Sequence, residues 1–386
     1  MNALYLAAAN LRFHWARTLV LIVAAALVLA VPVLTRTLLA QGEAALGARA
    51  EATPLLIGTR GSRLDLVMAG AYFTDDLPEP TTMQTAEEVW DSGLGIPVPL
   101  HTPFTASGLR IVGTTLDYLD IRDLTPTEGR RFATLGEAVL GANAARTLGA
   151  GIGDTILSDP ENLFDLDGAY PLEMTVAGLL PPTGTPDDDA VFVDIKTAWI
   201  IEGIGHGHDD IVIEGEESAA AAAARVVQFA RITPENVDSF HFHGDPATYP
   251  VTAVMVAPYD TRSATILRGR YLDAEGPVQA VVPSDVIEAL VARLLRIAAL
   301  VDTVTLVVGL AAALGLGLAL FLSWRLRAPE MRTAFALGAG KLTISTLALA
   351  ELGLILAGAV LLALPIVIVL QSQAATIAQR LIAFGS

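Results

Sequence analysis

The chain has 386 residues, of which 53% are hydrophobic, and it combines a formal net charge of −17 with the complete absence of cysteine. Its mean hydropathy of +0.54 is too apolar for an ordinary soluble enzyme and indicates membrane segments. Because there is no cysteine, disulfides, thiol catalysis and cysteine-ligated zinc are excluded.

The charge is distributed unevenly along the chain. Residues 41–292 contain 38 acidic and 14 basic side chains, whereas the two ends together contain 3 acidic and 10 basic ones. An acidic middle between basic, apolar ends predicts a soluble domain held on one side of a membrane by anchors with basic inner faces. The middle has no basic stripe that could neutralise phosphates, so nucleic acid is excluded as a partner.

Residues 1–40 predict an interfacial helix followed by a transmembrane helix. One helical face of the first 17 residues carries Leu4, Ala7, Ala8, Leu11 and Trp15. This pattern suits either a helix lying in the inner interface or a simple positively charged flank. Residues 18–40 carry only one charge and are long enough to cross a bilayer. A cleaved signal peptide is the alternative, but residues 38–40 (LLA) form a poor cleavage site.

Residues 41–292 predict an α+β domain outside the cytoplasm. A helix is predicted over residues 216–230, because six consecutive alanines favour it. Residues 137–157 predict a strand, a short helix, a glycine turn and a second strand. Further strands are predicted over residues 53–59, 109–121, 172–199 (two strands around a Pro/Gly/Asp connection), 249–258 and 277–283.

A helix beginning at Ser284 is predicted to run without a break into a second span. Residues 293–324 are the stalk and second transmembrane helix, and residues 343–370 are the third, followed by an external tail over residues 371–386. The short connection between the two spans, residues 325–342, is basic and is therefore placed in the cytoplasm. The predicted fold class is membrane α-helical plus an α+β extracytoplasmic domain, with one N-terminal and two C-terminal transmembrane helices.

Two stretches carry motifs that resemble a known family. In the domain, GRRF (residues 129–132) leads to EAVLGANAARTLGAGIGDTI, in the order of a G-R-x-F turn, a strand, a short helix and a G-D/E-x-I strand. In the connection, RAPEMRTAFALGAGKLTISTLALAE has the family's spacing at Glu330, Ala336, Leu337, Gly338, Ala339, Ile344 and Glu351. The chain therefore resembles the permease subunits of MacB/FtsX-type (type VII) ABC transporters.

This resemblance implies that residues 329–342 form a coupling helix that docks on a separate cytoplasmic ABC ATPase. The candidate ATPase-binding residues are Arg327, Glu330, Met331, Arg332, Phe335, Leu337, Gly338 and Lys341. An interfacial helix resting on lipid is the alternative. The other implied partners are a second copy or a homologous permease in a dimer, a periplasmic partner protein and membrane lipid. The family usually has four spans, whereas this sequence has room for three.

No catalytic residues are predicted, and the chain is not expected to be an enzyme. GAGKLT, residues 338–343, superficially matches a phosphate-binding loop, but the full pattern requires glycine at Phe335 and Ser or Thr at Leu342. ATP is therefore expected to act only through the partner ATPase. Asp302 and Glu351 lie in apolar helices, where an ionisable group is either functional or held by a structural hydrogen bond or by water near the membrane boundary.

Four of the six histidines form two His-x-His pairs in the domain, His206 with His208 and His241 with His243. Alternate side chains of an extended segment share a face, so each pair can present two imidazoles to one metal ion such as Zn²⁺. Further carboxylate ligands are available at Asp209, Asp210 and Asp245. Solvated loops with incidental histidines are the alternative. The segments that carry these pairs are also similar to those of permeases in a zinc-associated branch of the family.

The sequence as a whole predicts an inner-membrane permease subunit with a cytoplasmic N-terminus and a periplasmic domain. A separate ATPase would drive movements of this domain, which would act on a lipid, lipoprotein, peptide or metal-related substrate. The alternative is a membrane-anchored periplasmic zinc-binding or scaffold protein without transport.

Overall fold

The computed structural model describes residues 2–160, 171–207, 231–272, 276–326, 328–329, 333, 336 and 341–384. The chain divides into two compact units. One comprises Met1–Ala45 with Leu290–Arg380, and the other comprises Leu46–Ala289 with Leu381–Ser386.

The described α-helices are α1 Asn2–Phe13, α2 Trp15–Glu51, α3 Arg63–Tyr72, α4 Met83–Asp91, α5 Leu116–Ile121, α6 Ala142–Leu148, α7 Ile195–Ile201, α8 Thr261–Arg270, α9 Pro283–Leu326 and α10 Lys341–Phe384. Short 3-10 helices cover Pro186–Asp189, Val237–Ser239 and Pro246–Thr248. The described strands are β1 Leu55–Thr59, β2 Thr81–Thr82, β3 Gly95–Leu100, β4 Thr105–Ala106, β5 Leu109–Thr114, β6 Glu128–Gly129, β7 Glu137–Leu140, β8 Thr155–Leu157, β9 Glu173–Leu179, β10 Val191–Asp194, β11 Gly205–Gly207, β12 Phe240–Phe242, β13 Pro250–Val251, β14 Ala253–Pro258 and β15 Val278–Val281.

Two helical segments of the described chain are long and apolar enough to cross a membrane. They are Trp15–Glu51 and Ser345–Gln371, and α9 contains a shorter apolar stretch, Thr303–Gly315. The predicted crossing over residues 300–324 therefore stays a prediction, as does the number of C-terminal spans. The predicted continuity of the helix from the domain is confirmed, because α9 runs unbroken for 44 residues.

Small side chains bring α2 and α10 together in the first unit. Ala26 and Ala30 pack with Ala359 and Ala363, and each of these alanines is at most 7% exposed. The two members of each pair are four residues apart, the spacing that lets membrane helices approach closely.

A polar contact between α1 and α10 lies in the same unit. The Asn10 side chain donates from Nδ2 to Oε1 of Glu351 at 2.7 Å, and Glu351 is only 7% exposed. The structure thus agrees with the structural interpretation of Glu351, whereas the side chain of Asp302 lies outside the described residues.

The second unit contains a four-stranded antiparallel sheet in the order β15-β1-β14-β3. Its strands are short apolar runs, and α4, α7 and α8 cover one face. The core between them contains Leu55, Ile57, Val89, Trp199, Val254 and Leu267. Burial on this scale stabilises the domain without disulfides, at about 25 cal/mol for each Å² of apolar surface removed from water.

A seven-stranded mixed sheet completes the second unit. Its order is β4-β5-β10-β7-β9-β6, and β8 also pairs with β9. Strand β10 runs parallel to β5 and antiparallel to β7, while β7 and β9 are parallel. The core on this sheet includes Ile111, Leu140, Met174, Val191 and Ile200.

Most of the predicted elements of the domain are confirmed, with three differences. Residues 195–199 were predicted as the end of a strand but belong to α7, because β10 ends at Asp194, whose side chain caps the helix by accepting from the Lys196 amide. The segment 109–121 is not one strand, because the chain turns at Thr115 and Leu116–Ile121 forms α5, which buries Tyr118 and Leu119. Helix α2 does not end near residue 40. It continues to Glu51 through QGEAALGARAE, which is rich in good helix formers, and stops before Pro54.

Helix α10 continues beyond the predicted end of the third span, residue 370, to Phe384. The helix predicted over residues 216–230 lies outside the described residues.

Candidate functional site

The last turn of α2 carries an arginine that is buried in the core of the second unit. Arg49 donates from Nη1 to Asp187 Oδ2 at 2.7 Å and from Nη2 to Asp187 Oδ1 at 2.8 Å. Its Nη2 also donates to the Tyr118 hydroxyl at 2.8 Å, and its Nε donates to the Ala71 carbonyl at 2.7 Å. A planar guanidinium matches a carboxylate in this two-point geometry better than any other cation. We call Arg49, Asp187 and Tyr118 the Arg49 cluster.

The protonation states of the Arg49 cluster follow from its burial. Arg49 is 4% exposed, Asp187 2% and Tyr118 0%. Burial alone would raise the pKa of Asp187, but the charge and hydrogen bonds of Arg49, together with the Tyr118 hydroxyl, hold that pKa below its usual value. Burial raises the pKa of Tyr118 above its usual value, so the phenol stays protonated. Its hydroxyl donates a hydrogen bond to Asp187 Oδ1 at 2.6 Å.

The carbonyl groups at the end of α2 are also satisfied. The last carbonyls of a helix have no partner within the helix and need donors from elsewhere. The Thr53 hydroxyl donates to the Arg49 carbonyl at 2.9 Å, and about one turn earlier the Tyr72 hydroxyl donates to the Leu46 carbonyl at 2.5 Å. Arg122 donates to the Ala52 carbonyl at 2.8 Å, which places a cation at the negative end of the helix dipole. The end of α2 is therefore fixed in the domain by side chains from several elements.

The loop that carries Asp187 of the Arg49 cluster packs closely against Gly141. A Cβ atom at Gly141 would clash with the Asp187 carbonyl oxygen and would lie 2.5 Å from that of Asp188. The loop itself is held by Thr185, whose hydroxyl caps the 3-10 helix Pro186–Asp189. Gly141 thus lets the loop present Asp187 to Arg49.

The G-R-x-F turn has a structural explanation in the same domain. Gly129 has a φ of 75°, and a Cβ there would clash with the Ala177 carbonyl oxygen. Arg130 forms a two-point ion pair with Glu137 at the start of β7, with one contact at 2.7 Å. Phe132 is 2% exposed and fills the core. The motif therefore serves the fold of this domain.

The predicted ATPase-binding residues lie almost entirely outside the described part of the chain. Lys341 is the first residue of α10. The others, Arg327, Glu330, Met331, Arg332, Phe335, Leu337 and Gly338, are not among the described residues. Just before this segment, Arg325 is exposed in the last turn of α9.

Three of the four predicted metal ligands come together. His206, His241 and His243 each offer a ring nitrogen, and these atoms all lie within 4.8 Å of one another. His208, Asp209 and Asp210 lie outside the described residues. Asp245 does not join the group, because its side chain caps the 3-10 helix Pro246–Thr248 by accepting from the Ala247 amide at 3.1 Å.

The Arg49 cluster was not predicted from the sequence. Arg49 and Asp187 are separated by 138 residues, and each looks like an ordinary surface charge in its local context. The one available signal is that Arg49 interrupts an alanine-rich helix just before a buried strand, a position where an unpaired charge would be costly.

Comparison with known proteins identifies the domain. A model of the MacB-like periplasmic core domain matches residues 18–229. The solved periplasmic region of MacB from Actinobacillus actinomycetemcomitans is similar over 62% of this chain and 92% of its own, with 11% identity and a TM-score of 0.36. The extracellular domain of the noncanonic ABC-type transporter YknZ from Gram-positive bacteria is similar over 59% of this chain and 98% of its own, with 12% identity and a TM-score of 0.32. No curated protein gives a significant match.

The family model covers more than half of the chain, and its N-terminal boundary falls at the start of the apolar part of α2. The sequence motifs of residues 129–156 lie inside the matched range. The chain therefore belongs to the MacB/FtsX-type family of ABC transporter permease-type proteins, which carry a MacB-like periplasmic core domain.

Proposed function

We propose that this chain is the permease subunit of an ABC transporter whose ATPase is a separate protein. Residues 325–342 would dock on that ATPase from the cytoplasmic side. Closure of the ATPase dimer on ATP would move this connection, and α9 would transmit the movement to the periplasmic domain. The chain itself would bind no nucleotide and catalyse no reaction.

The observation that carries this proposal is the placement of the family domain between long helices. Helix α9 begins two residues after β15, a strand of the domain, and runs unbroken to Leu326 beside the basic connection. At 1.5 Å per residue its 44 residues extend about 66 Å. One continuous helix of this length can carry a displacement from the connection to the domain.

The Arg49 cluster supports the same mechanism at the point where α2 leads into the domain. A helix that moves a domain must stay attached to it. The end of α2 is held in the domain by a buried ion pair and by side chains that donate to its carbonyl groups. Breaking such a pair costs about 3–5 kcal/mol.

The first experiment tests the docking segment in the full-length protein. The tagged chain is expressed in its own cells, solubilised in mild detergent and captured, and co-purifying ABC ATPases are identified by mass spectrometry. Deletion of residues 330–341 is expected to abolish co-purification of the ATPase. Undiminished capture by the deletion variant would refute the docking role of this segment.

Point variants make the test independent of the deletion. In the proposed coupling helix, Met331 and Phe335 would share one face because they are four residues apart, whereas Thr333, two residues from each, would lie on the opposite face. Met331→Asp and Phe335→Asp are expected to weaken ATPase capture at least tenfold. Thr333→Asp adds the same charge on the other face and is expected to capture the ATPase like the unchanged chain. Equal effects at the three positions would indicate a general loss of folding or insertion.

A second candidate function is favoured by the histidine cluster alone. A membrane-anchored periplasmic metal-binding or scaffold protein would need His206, His241 and His243 but no ATPase. It predicts that no ATPase co-purifies and that deletion of residues 330–341 leaves the protein's cellular function intact.

A further inference from the structure

The histidine cluster is built on a short antiparallel ribbon of β11 and β12. In its register Gly205 lies opposite Phe242, His206 opposite His241, and Gly207 opposite Phe240. Side chains alternate between the two faces of a strand, and directly opposed residues share a face. His206 and His241 therefore point to one side of the ribbon, and His243, two residues beyond His241, follows the same alternation.

The other face of the ribbon explains why the histidines point away from the core. A Cβ atom at Gly205 would lie 2.6 Å from the ring of Phe242, and one at Gly207 would lie 2.6 Å from the ring of Phe240. The two glycines thus leave space for the two phenylalanine rings, which pack against the core of the seven-stranded sheet. A ribbon with its apolar face fixed in this way must present its histidines on the opposite face.

The backbone that carries the three imidazoles is anchored to the rest of the domain. The Ile204 amide donates to the Trp199 carbonyl of α7 at 2.9 Å, and the His243 amide donates to the Ile204 carbonyl at 3.3 Å. Trp199 in turn donates from its indole to the Pro250 carbonyl at 2.8 Å. The positions of the Cα atoms are therefore set by secondary structure and core packing, and only the imidazole rotamers have to adjust to a ligand.

The three rings are close enough to share one ion. Ring centroids are 4.8 Å apart for His206 and His241, 4.9 Å for His206 and His243, and 4.8 Å for His241 and His243. Zn–N bonds of about 2.0–2.1 Å in a tetrahedral site place ligand nitrogens about 3.4 Å apart. The candidate nitrogens lie within 4.8 Å of one another, so each ring has to shift by about 1 Å, which small rotations of the side chain supply.

One of the rings is oriented for metal binding. The Nδ1 atom of His241 lies 3.1 Å from the carbonyl oxygen of Ser239. A carbonyl can only accept, so this hydrogen bond requires the proton on Nδ1 and places the ring's lone pair on Nε2. In metal-binding histidines, the ring nitrogen that does not contact the metal commonly donates to a backbone carbonyl in this way.

We propose that His206, His241 and His243 form a binding site for a divalent transition-metal ion of the Zn²⁺ class. Among the described residues the site offers three imidazoles, which suit Zn²⁺, Cu²⁺ and Ni²⁺, whereas Mg²⁺ and Ca²⁺ prefer oxygen ligands. These three described ligands leave the fourth tetrahedral position to a further ligand, such as water or an atom of another molecule. The site is thus built to hold an ion that a periplasmic partner or cargo can also contact.

The test uses the full-length protein in detergent, stripped of metal with a chelator and titrated with Zn²⁺ by calorimetry. We expect about one tight site per chain. His206→Ala and His241→Ala should each weaken binding by more than ~100-fold, because the loss of even an outer partner of a ligand costs about 10–100-fold. His14→Ala removes an exposed histidine outside the domain and should bind Zn²⁺ like the unchanged chain.

Cobalt provides a readout that does not depend on heat. The unchanged chain with Co²⁺ should give the intense visible bands of a tetrahedral site, and His243→Gln should reduce them. The metal-free variants should unfold at the same temperature as the metal-free unchanged chain, which separates loss of the ligand from loss of the fold. Zn²⁺ should raise the unfolding temperature only when the three histidines are present.

Two outcomes would overturn the proposal. One is the absence of binding heat and of cobalt bands in the unchanged chain. The other is an adventitious ion only, in which weak binding at several sites persists after His206→Ala and His241→Ala. Neither outcome affects capture of the ATPase, so the metal site and the permease function fail independently of each other.

Discussion

Asp187 accepts one hydrogen bond from each terminal nitrogen of the Arg49 guanidinium, at 2.7 and 2.8 Å, although 138 residues separate the two in the chain. Arg49 belongs to the last turn of the helix that begins at Trp15, and Asp187 lies in a short 3-10 helix of the domain. This ion pair therefore ties the end of the N-terminal apolar helix to the MacB-like domain. Its energetics are accessible to mutation.

Replacing one partner of this pair is expected to destabilise the domain strongly. Arg49→Met leaves the Asp187 carboxylate buried without its cation, at an expected cost of about 3–5 kcal/mol in the free energy of unfolding. The double variant Arg49→Met/Asp187→Leu should recover most of this loss, because a well-packed apolar pair can replace a buried ion pair. Denaturant unfolding of the full-length protein, followed by tryptophan fluorescence, measures both values.

An exposed ion pair of the same types provides the control. Arg131 donates to Asp120 at 2.6 Å, but the Arg131 side chain is 32% exposed and that of Asp120 61%. Arg131→Met should therefore cost less than about 1 kcal/mol. A loss as large as that of Arg49→Met would mean that burial is not what makes the Arg49 cluster important.

Gly141→Ala is expected to weaken the same cluster without touching its charges. The added methyl group would meet the carbonyl oxygens of Asp187 and Asp188, so the loop that presents Asp187 has to move. Overpacking of this kind costs about 1–3 kcal/mol. Gly61→Ala is the matched control, because a Cβ at Gly61 meets nothing within 4 Å. Equal thermal stability of the two variants would show that the loop adapts freely.

Local sequence signals were sufficient for much of the fold. The strand, helix, glycine turn and strand between Glu137 and Leu157 were predicted because glycines mark each change of direction. Leu116–Ile121 was wrongly assigned to a strand, because LDYLDI alternates apolar and polar residues over its first positions as a strand does. Its helical packing depends on Tyr118 and Leu119 entering a core that the local sequence does not reveal.

The histidine cluster and the Arg49 cluster could be predicted only as far as they depend on patterns of nearby residues in the sequence. The His-x-His spacing indicated which rings share a face, whereas the register that brings His206 opposite His241 depends on pairing across more than thirty residues. In retrospect a signal for this pairing exists, since Gly-His-Gly and Phe-His-Phe are complementary on the core face. No comparable signal connects Arg49 to Asp187, because only the tertiary fold brings them together.

The stability of the domain should depend on pH through Glu137. Burial alone would raise the pKa of Glu137, but hydrogen bonds from Arg130 and from the Ala133 and Thr134 amides lower it to about 2. Its contribution is therefore present at neutral pH and is lost as the pH falls from about 4.5 through about 2. Because Arg130 is exposed, we expect Glu137→Gln to cost only about 1 kcal/mol at neutral pH.

The measurement for Glu137 is the unfolding temperature at a series of pH values. The difference between Glu137→Gln and the unchanged chain should shrink steadily as the pH falls from about 5 to about 2. Glu128→Gln, which removes an exposed carboxylate in the neighbouring turn, should show little difference at any pH. A constant difference for Glu137→Gln across this range would contradict the pKa shift.

The contact between Asn10 and Glu351 should stabilise the first unit, which contains the apolar helices, through a hydrogen bond that does not require a charge on Glu351. Asn10→Ala removes the donor 2.7 Å from Glu351 Oε1, at an expected cost of about 1–3 kcal/mol because the acceptor is almost fully buried. Glu351→Gln keeps an oxygen that can accept from Asn10 and should remain close to the unchanged chain. Gln371→Ala serves as the control, since its amide is exposed and lies 3.4 Å from the Thr37 hydroxyl. Thermal unfolding in detergent micelles ranks the three variants, and a larger loss for Glu351→Gln than for Asn10→Ala would show that the negative charge itself is needed.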